Sequence, residues 1–136
     1  MQLNKIGYAE PKEMIFTDPY TNEETPIKLK IYPKNSKIGK QAEHQMRLST
    51  LELLQDDNNI DPTTKNLKTE LIENISFNYL ASLVDSWEGI TNDKDKPIKF
   101  SKEECIKAFK ECNELCDAVY RFVEDNSNFQ KVQNQS

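Results

Sequence analysis

Between Thr25 and Tyr32, Ile27, Leu29 and Ile31 alternate with Lys28 and Lys30. A period of two puts the apolar residues on one face of a strand and the lysines on the other, so the segment predicts a half-buried strand. A shorter apolar run, Met14-Ile15-Phe16-Thr17, precedes it. Asp18-Pro19-Tyr20-Thr21-Asn22-Glu23-Glu24 lies between the two. Its proline presets φ and its Asp and Asn favour local side-chain bonds, which reads as a turn. Together the runs predict a β-hairpin. Pro33 ends the second strand, and Pro26 near its start points to an edge position. Two strands alone are marginal in water, so the Ile27/Leu29/Ile31 face requires a helical layer over it. Residues 1–12 show no period and read as an arm.

After Ser36, a suitable N-cap, the period becomes helical. Ile38, Ala42, Met46, Ser49 and Leu53 form one stripe, which Leu48 and Leu51 widen. Gln55 to Asn59 is a polar break, and Asp61-Pro62 is a second start signal. The next helix is the most apolar, with Leu67, Leu71, Ile75 and Leu80, and with Ile72, Phe77, Tyr79, Leu83, Val84 and Trp87 alongside. So wide an arc predicts a central helix contacted on more than one side. Val84 to Ser101 holds the only Trp, a Gly and a hydrated turn run, and reads as an ordered corner. Ser101-Lys102-Glu103-Glu104 is a capping box that starts another helix. Cys105 or Cys112, Ile106 and Phe109 share one face there, and Leu115, Val119, Phe122 and Val123 another. A bend near Cys112-Asn113 leaves open whether this stretch is one helix or two. The pattern predicts an α+β fold: an N-terminal β-hairpin packed on a mainly helical domain of three to four helices. The domain spans 1–125, and the polar residues 126–136 are expected to be a flexible tail.

Composition narrows the function. A chain of 136 residues suits one domain with a modest core, given 36% apolar and 30% charged residues. No apolar run approaches the ~20 residues of a membrane span, and no signal sequence opens the chain, so a soluble intracellular protein is expected. The net charge is −5. Residues 1–50 carry 8 Lys+Arg against 6 Asp+Glu, and residues 51–136 carry 10 against 17. An acidic chain is a poor ligand for a phosphate backbone, so no nucleic-acid partner is expected. Lys28, Lys30, Lys34, Lys37 and Lys40 form a local basic strip, either a solvated face or a weak contact for an acidic partner.

The chemistry-bearing residues do not assemble into a known catalytic pattern. Cys105, Cys112 and Cys116 are odd in number and close in sequence, unlike a secreted disulfide framework. Their spacing of i, i+7 and i+11 places them near one helical face, where core packing competes with metal or redox use. His44, the only histidine, sits among Glu43, Gln45 and Arg47 on a polar helix face without a nucleophile beside it. Asp93-Lys94-Asp95 opens like a calcium loop but lacks the Gly and Glu that such a loop requires. Glu103 and Glu104 suit a helix N-terminus. No metal, cofactor or catalytic residue is therefore expected. Trp87 and Phe100 flank the corner, where they anchor the loop to the core or present an aromatic surface to a partner.

Three stretches, in this order, resemble the phage tail assembly chaperone family of long-tailed phages. Phe16-Thr17-Asp18-Pro19-Tyr20-Thr21-Asn22-Glu23 and its Lys-rich strand resemble that family's hairpin, with Asn22 where a Gly is usual. Tyr32-Pro33-Lys34-Asn35-Ser36 resembles its strand-to-helix step. Val84-Asp85-Ser86-Trp87-Glu88-Gly89-Ile90-Thr91, with Pro97-Ile98-Lys99-Phe100-Ser101, resembles its Trp-Gly corner. The cysteine-rich final helix is not a hallmark of the family. The resemblance covers about residues 14–125. It implies a non-enzymatic protein that binds the tape measure protein and tail tube subunits in the host cytoplasm and is absent from the mature virion. It leaves room for a homo-oligomer and implies no membrane partner. Trp87, Phe100 and Tyr79 are the partner-binding candidates. The alternatives are a structural virion component (a tail or head–tail connector subunit) and a small bacterial regulatory binding module.

Overall fold

The computed structural model describes residues 9–55 and 62–129. The chain runs through strands β1 (Lys12–Thr17) and β2 (Glu24–Ile31), helices α1 (Lys37–Gln55) and α2 (Pro62–Leu83), strand β3 (Val84–Glu88), and helices α3 (Lys102–Glu111) and α4 (Asn113–Glu124). A 3₁₀ turn follows at Asn126–Asn128. The α+β expectation holds, with one addition. The hairpin is part of a three-stranded antiparallel sheet of order β1-β2-β3.

The sheet has two faces, as the alternation in β2 requires. Met14, Leu29 and Trp87 stand in one cross-strand row on the covered side. Lys30 lies between Glu13 and Ser86, and Lys28 between Ile15 and Glu88, on the wet side. Two lysines of the basic strip thus face sheet neighbours, and a third, Lys34, pairs with Glu124 at 3.1 Å. The turn expected between the strands closes through Asn22 N–H to the Asp18 carbonyl at 2.7 Å. Asn22 takes φ +60, a conformation asparagine tolerates where Gly is usual.

Two local readings are corrected. β2 is the central strand, not an edge. Its Pro26 is tolerated because it falls at the register irregularity opposite Ile15–Thr17 and beyond the stretch that pairs with β3. Val84 and Trp87, grouped with the α2 arc, belong to β3. The Leu83 carbonyl accepts from Tyr32 N–H at 2.8 Å, which ties the end of α2 to the end of β2 and sets the chain down beside that strand.

Ser36 caps α1 as expected. It is 3% exposed, its Oγ accepts from Gly39 N–H at 3.0 Å, and its hydroxyl donates to the Pro33 carbonyl at 2.6 Å. α2 is touched on several sides, by α1, α3, α4 and β3. Among its described side chains, contact with the core falls in the C-terminal half, where Leu80, Ala81 and Leu83 are buried. The final helical stretch is two helices: the chain breaks at Cys112, with φ −133 and ψ 89. The core joins Leu29 and Ile31 of the sheet to Leu83, Cys105, Phe109, Val119 and Val123, all fully buried. Of the expected tail, Asn126–Asn128 forms the 3₁₀ turn, and Phe129 packs edge-on against Phe122 at 5.2 Å. The arm expected over residues 1–12 already gives way to β1 at Lys12, and Gln55 of the expected polar break ends α1. Residues 1–8 of the arm, 56–59 of the break and 130–136 of the tail lie outside the described residues.

Candidate protein-binding surfaces

The structure brings Trp87 and Phe100 together and gives Tyr79 different neighbours. The Trp87 ring meets Phe100 edge-on, with centroids 5.2 Å apart and planes at 86°. Its indole N–H donates to the Ile98 carbonyl at 2.8 Å. Both rings are half buried and pack against the core. Gly89 follows at φ +88, where the chain passes close over Pro26. The loop beyond is closed by Ile98 N–H to the Ile90 carbonyl at 2.9 Å and Asn92 N–H to the Lys96 carbonyl at 2.9 Å. Asn92 Oδ1 also accepts from the backbone N–H of Lys94 and Lys96. The corner is ordered, as its sequence predicts. Ser101 Oγ accepts from Glu104 N–H at 3.1 Å, and α3 begins there.

Tyr79 stands on α2, facing α1. The helices pack on each other and are joined by six residues, so they form an antiparallel helical hairpin. A groove of about 590 Å³ runs between them. Ala42, Met46, Leu53, Leu71, Ile75 and Tyr79 supply its apolar lining. Gln45, Ser49, Asn74, Asn78 and Ser82 supply uncharged polar groups, and Glu52 and Lys102 are the charged residues among the described ones in the lining. The phenol of Tyr79 is pushed above its ordinary range, first by burial and then by the negative charges of Glu43 and Glu124. On its other side lies a second cavity of about 440 Å³, shared with Tyr120, Glu124 and Lys34.

The expected α1 stripe is correct for Ala42, Met46 and Leu53, which line the groove. It is not widened by Leu48 and Leu51. These two, with Leu54, are absent from the groove lining and are 42%, 55% and 57% exposed. At 100° per residue Leu48 and Leu51 fall on the face opposite Ala42, Met46 and Leu53, and Leu54 falls on the flank, roughly 100° round. On α2, Leu71 and Ile72 are 47% and 54% exposed. Sequence periodicity registers these residues as apolar but cannot say that nothing covers them.

His44 is exposed on α1. Cys105 and Cys116 are buried and Cys112 half buried, all as free thiols. Burial pushes Cys105 up to about 12 and Cys116 up to about 11, so both are unreactive thiols at neutral pH. Among the described residues, no three His, Cys, Asp or Glu side chains gather into a metal-holding group, and no helix is long and apolar enough to cross a membrane.

The family model described as "YdaY prophage protein" matches residues 35–136. The match begins one residue before the α1 cap and takes in both helices of the groove, β3 and the corner; the β1–β2 hairpin lies outside it. No curated protein and no solved structure matches the chain. The family description supports the phage association drawn from the sequence and is silent on tail assembly. On the match over three quarters of its length, the chain belongs to the YdaY prophage protein family.

Proposed function

We propose that this prophage protein is a non-enzymatic tail assembly chaperone. In this reading it binds the tape measure protein, recruits tail tube subunits in the host cytoplasm, and departs before the virion is complete. One observation carries the binding role. The groove between α1 and α2 presents Met46, Leu53, Leu71, Ile75 and Tyr79 along one open surface, with Leu71 47% exposed. An open groove lined by large apolar side chains is a feature that a protein keeps for contact with another molecule. The prophage family and the three family-like stretches support the phage setting. Of the three candidate residues, Tyr79 lines the groove directly. Trp87 and Phe100 brace the corner that delivers Lys102 to it. A patch of this modest size suits a reversible complex rather than an obligate one.

The test is co-expression of the tagged protein with the tape measure and tail tube proteins of the same prophage. Co-purification with a soluble tape measure protein is the expected result. Failure to capture either protein, with this chain present in purified particles, would replace the chaperone by a virion component. Failure of both would leave the bacterial regulatory module.

A further inference from the structure

The groove between α1 and α2 has a direction. Glu52 lies in the last turn of α1, at the end where the two helices are joined, and Leu71 belongs to the same end of the antiparallel pair. Lys102 marks the opposite end. Phe109 of α3 packs on Phe77 of α2, and Lys110 shares a cavity with Glu70 and Glu73. α3 therefore runs antiparallel to α2, and its first residue falls beside Ser82. Among the described residues, every other one lining the groove is uncharged.

We propose that this groove seats one amphipathic α-helix of a protein partner, about three turns long, with its N-terminus toward Glu52 and its C-terminus toward Lys102. The proposal rests on the binding role above and adds the form and orientation of what is bound. Both walls are α-helices, whose backbone groups bond internally, so they offer no edge to pair with an extended peptide. A helical occupant satisfies its own backbone and needs only an apolar stripe for Met46, Leu53, Leu71 and Ile75. From Leu71 to Ser82 is eleven residues, a run of roughly 16 Å at helical rise, which sets the length of the contact. The amide and hydroxyl groups beside the floor accept neutral polar flanks. The two charges complement a helix macrodipole in one direction only: a carboxylate meets its positive N-terminus and an ammonium its negative C-terminus.

The probe is a capped, uncharged amphipathic peptide of about 14 residues, with leucines at i, i+3 and i+7 spacing. It is titrated into the isotope-labelled full chain and followed by NMR, with a nitroxide on its N- or its C-terminus. The N-terminal label is expected to broaden the amides of Ser49–Leu53 and Leu71, and the C-terminal label those of Ser82 and Lys102. In the double variant Glu52→Lys/Lys102→Glu the two patterns should exchange. Each change places its new charge favourably for its own helix, so the variant should stay folded. The proposal is overturned by an absence of shifts at the groove, by identical broadening from both labels, or by a pattern that the charge swap leaves unreversed. Tape measure capture that persists undiminished in an Ile75→Glu chain overturns the groove while leaving the chaperone function to another face. Peptide binding without capture of any tail protein supports the groove and overturns that function.

Discussion

Gly89 passes so close to Pro26 that a Cβ built on the glycine would fall within contact distance of the Pro26 carbonyl oxygen and carbon. Both atoms are backbone, at the start of the central strand, and neither can swing aside. Gly89 also holds φ +88, a conformation side chains disfavour. Gly89→Ala is therefore expected to lose about 2–4 kcal/mol through strain and a forced backbone shift, read as a lower urea midpoint at unchanged m.

Trp87 separates hydrogen bonding from packing at the corner. Trp87→Phe keeps an aromatic ring for Phe100 but removes the indole donor to the Ile98 carbonyl. It should cost about 1 kcal/mol, the net worth of one hydrogen bond. Trp87→Ala also removes the ring beside Leu29 and should cost about 3 kcal/mol or more. Equal losses in urea unfolding would show that the ring contributes nothing beyond its N–H.

Ser36 fastens a helix whose extensive packing, among the described residues, is with α2. Ser36→Ala removes the acceptor for Gly39 N–H and the donor to the Pro33 carbonyl in a buried setting. The expected loss is about 1–2 kcal/mol, with faster amide exchange concentrated in α1. Uniform acceleration across the sheet would contradict this local role.

The buried thiols make alkaline pH destabilising. Against an ordinary 9.0, Cys105 is pushed up to about 12 and Cys116 to about 11, burial being the first cause in each case. Above pH 9 the unfolded chain releases these protons and the folded chain keeps them. Stability is therefore fully present below pH 9 and falls as pH rises toward 11–12. Urea unfolding at pH 7, 9 and 10 should show this fall, and Cys105→Ala/Cys116→Ala should reduce its slope. In the folded protein at pH 8, Cys112 should be the thiol that a maleimide reaches first.

Leu71 offers a test of surface against core. At 47% exposure, Leu71→Glu should change stability by no more than about 0.5–1 kcal/mol. It should nevertheless sharply reduce capture of a protein partner. Unfolding by this variant would show that Leu71 is a core residue in solution, and undiminished capture would place the contact elsewhere.

Local patterning by itself determined the elements whose signals lie within a few neighbouring residues. The alternation in β2 and the Ser36 and Ser101 caps act over one turn or one pleat, so the residues that cause them adjoin in the chain, and the corner around Trp87 closes within a dozen or so residues. The α+β class followed, because a half-apolar hairpin must be covered by helices. Tertiary structure decided what depends on contacts between distant segments. β3 exists because Val84–Glu88 finds β2, and that pairing makes β2 central and moves Pro26 from an edge to an irregularity. The helix break at Cys112 came from packing that the continuous apolar pattern left undecided. The groove is the clearest case. Leu48, Leu51 and Leu53 are one residue type in one helix, yet only the placement of α2 turns Leu53 inward and leaves Leu48 and Leu51 in water. Periodicity states that a side chain is apolar, and burial depends on whether another part of the chain arrives to cover it.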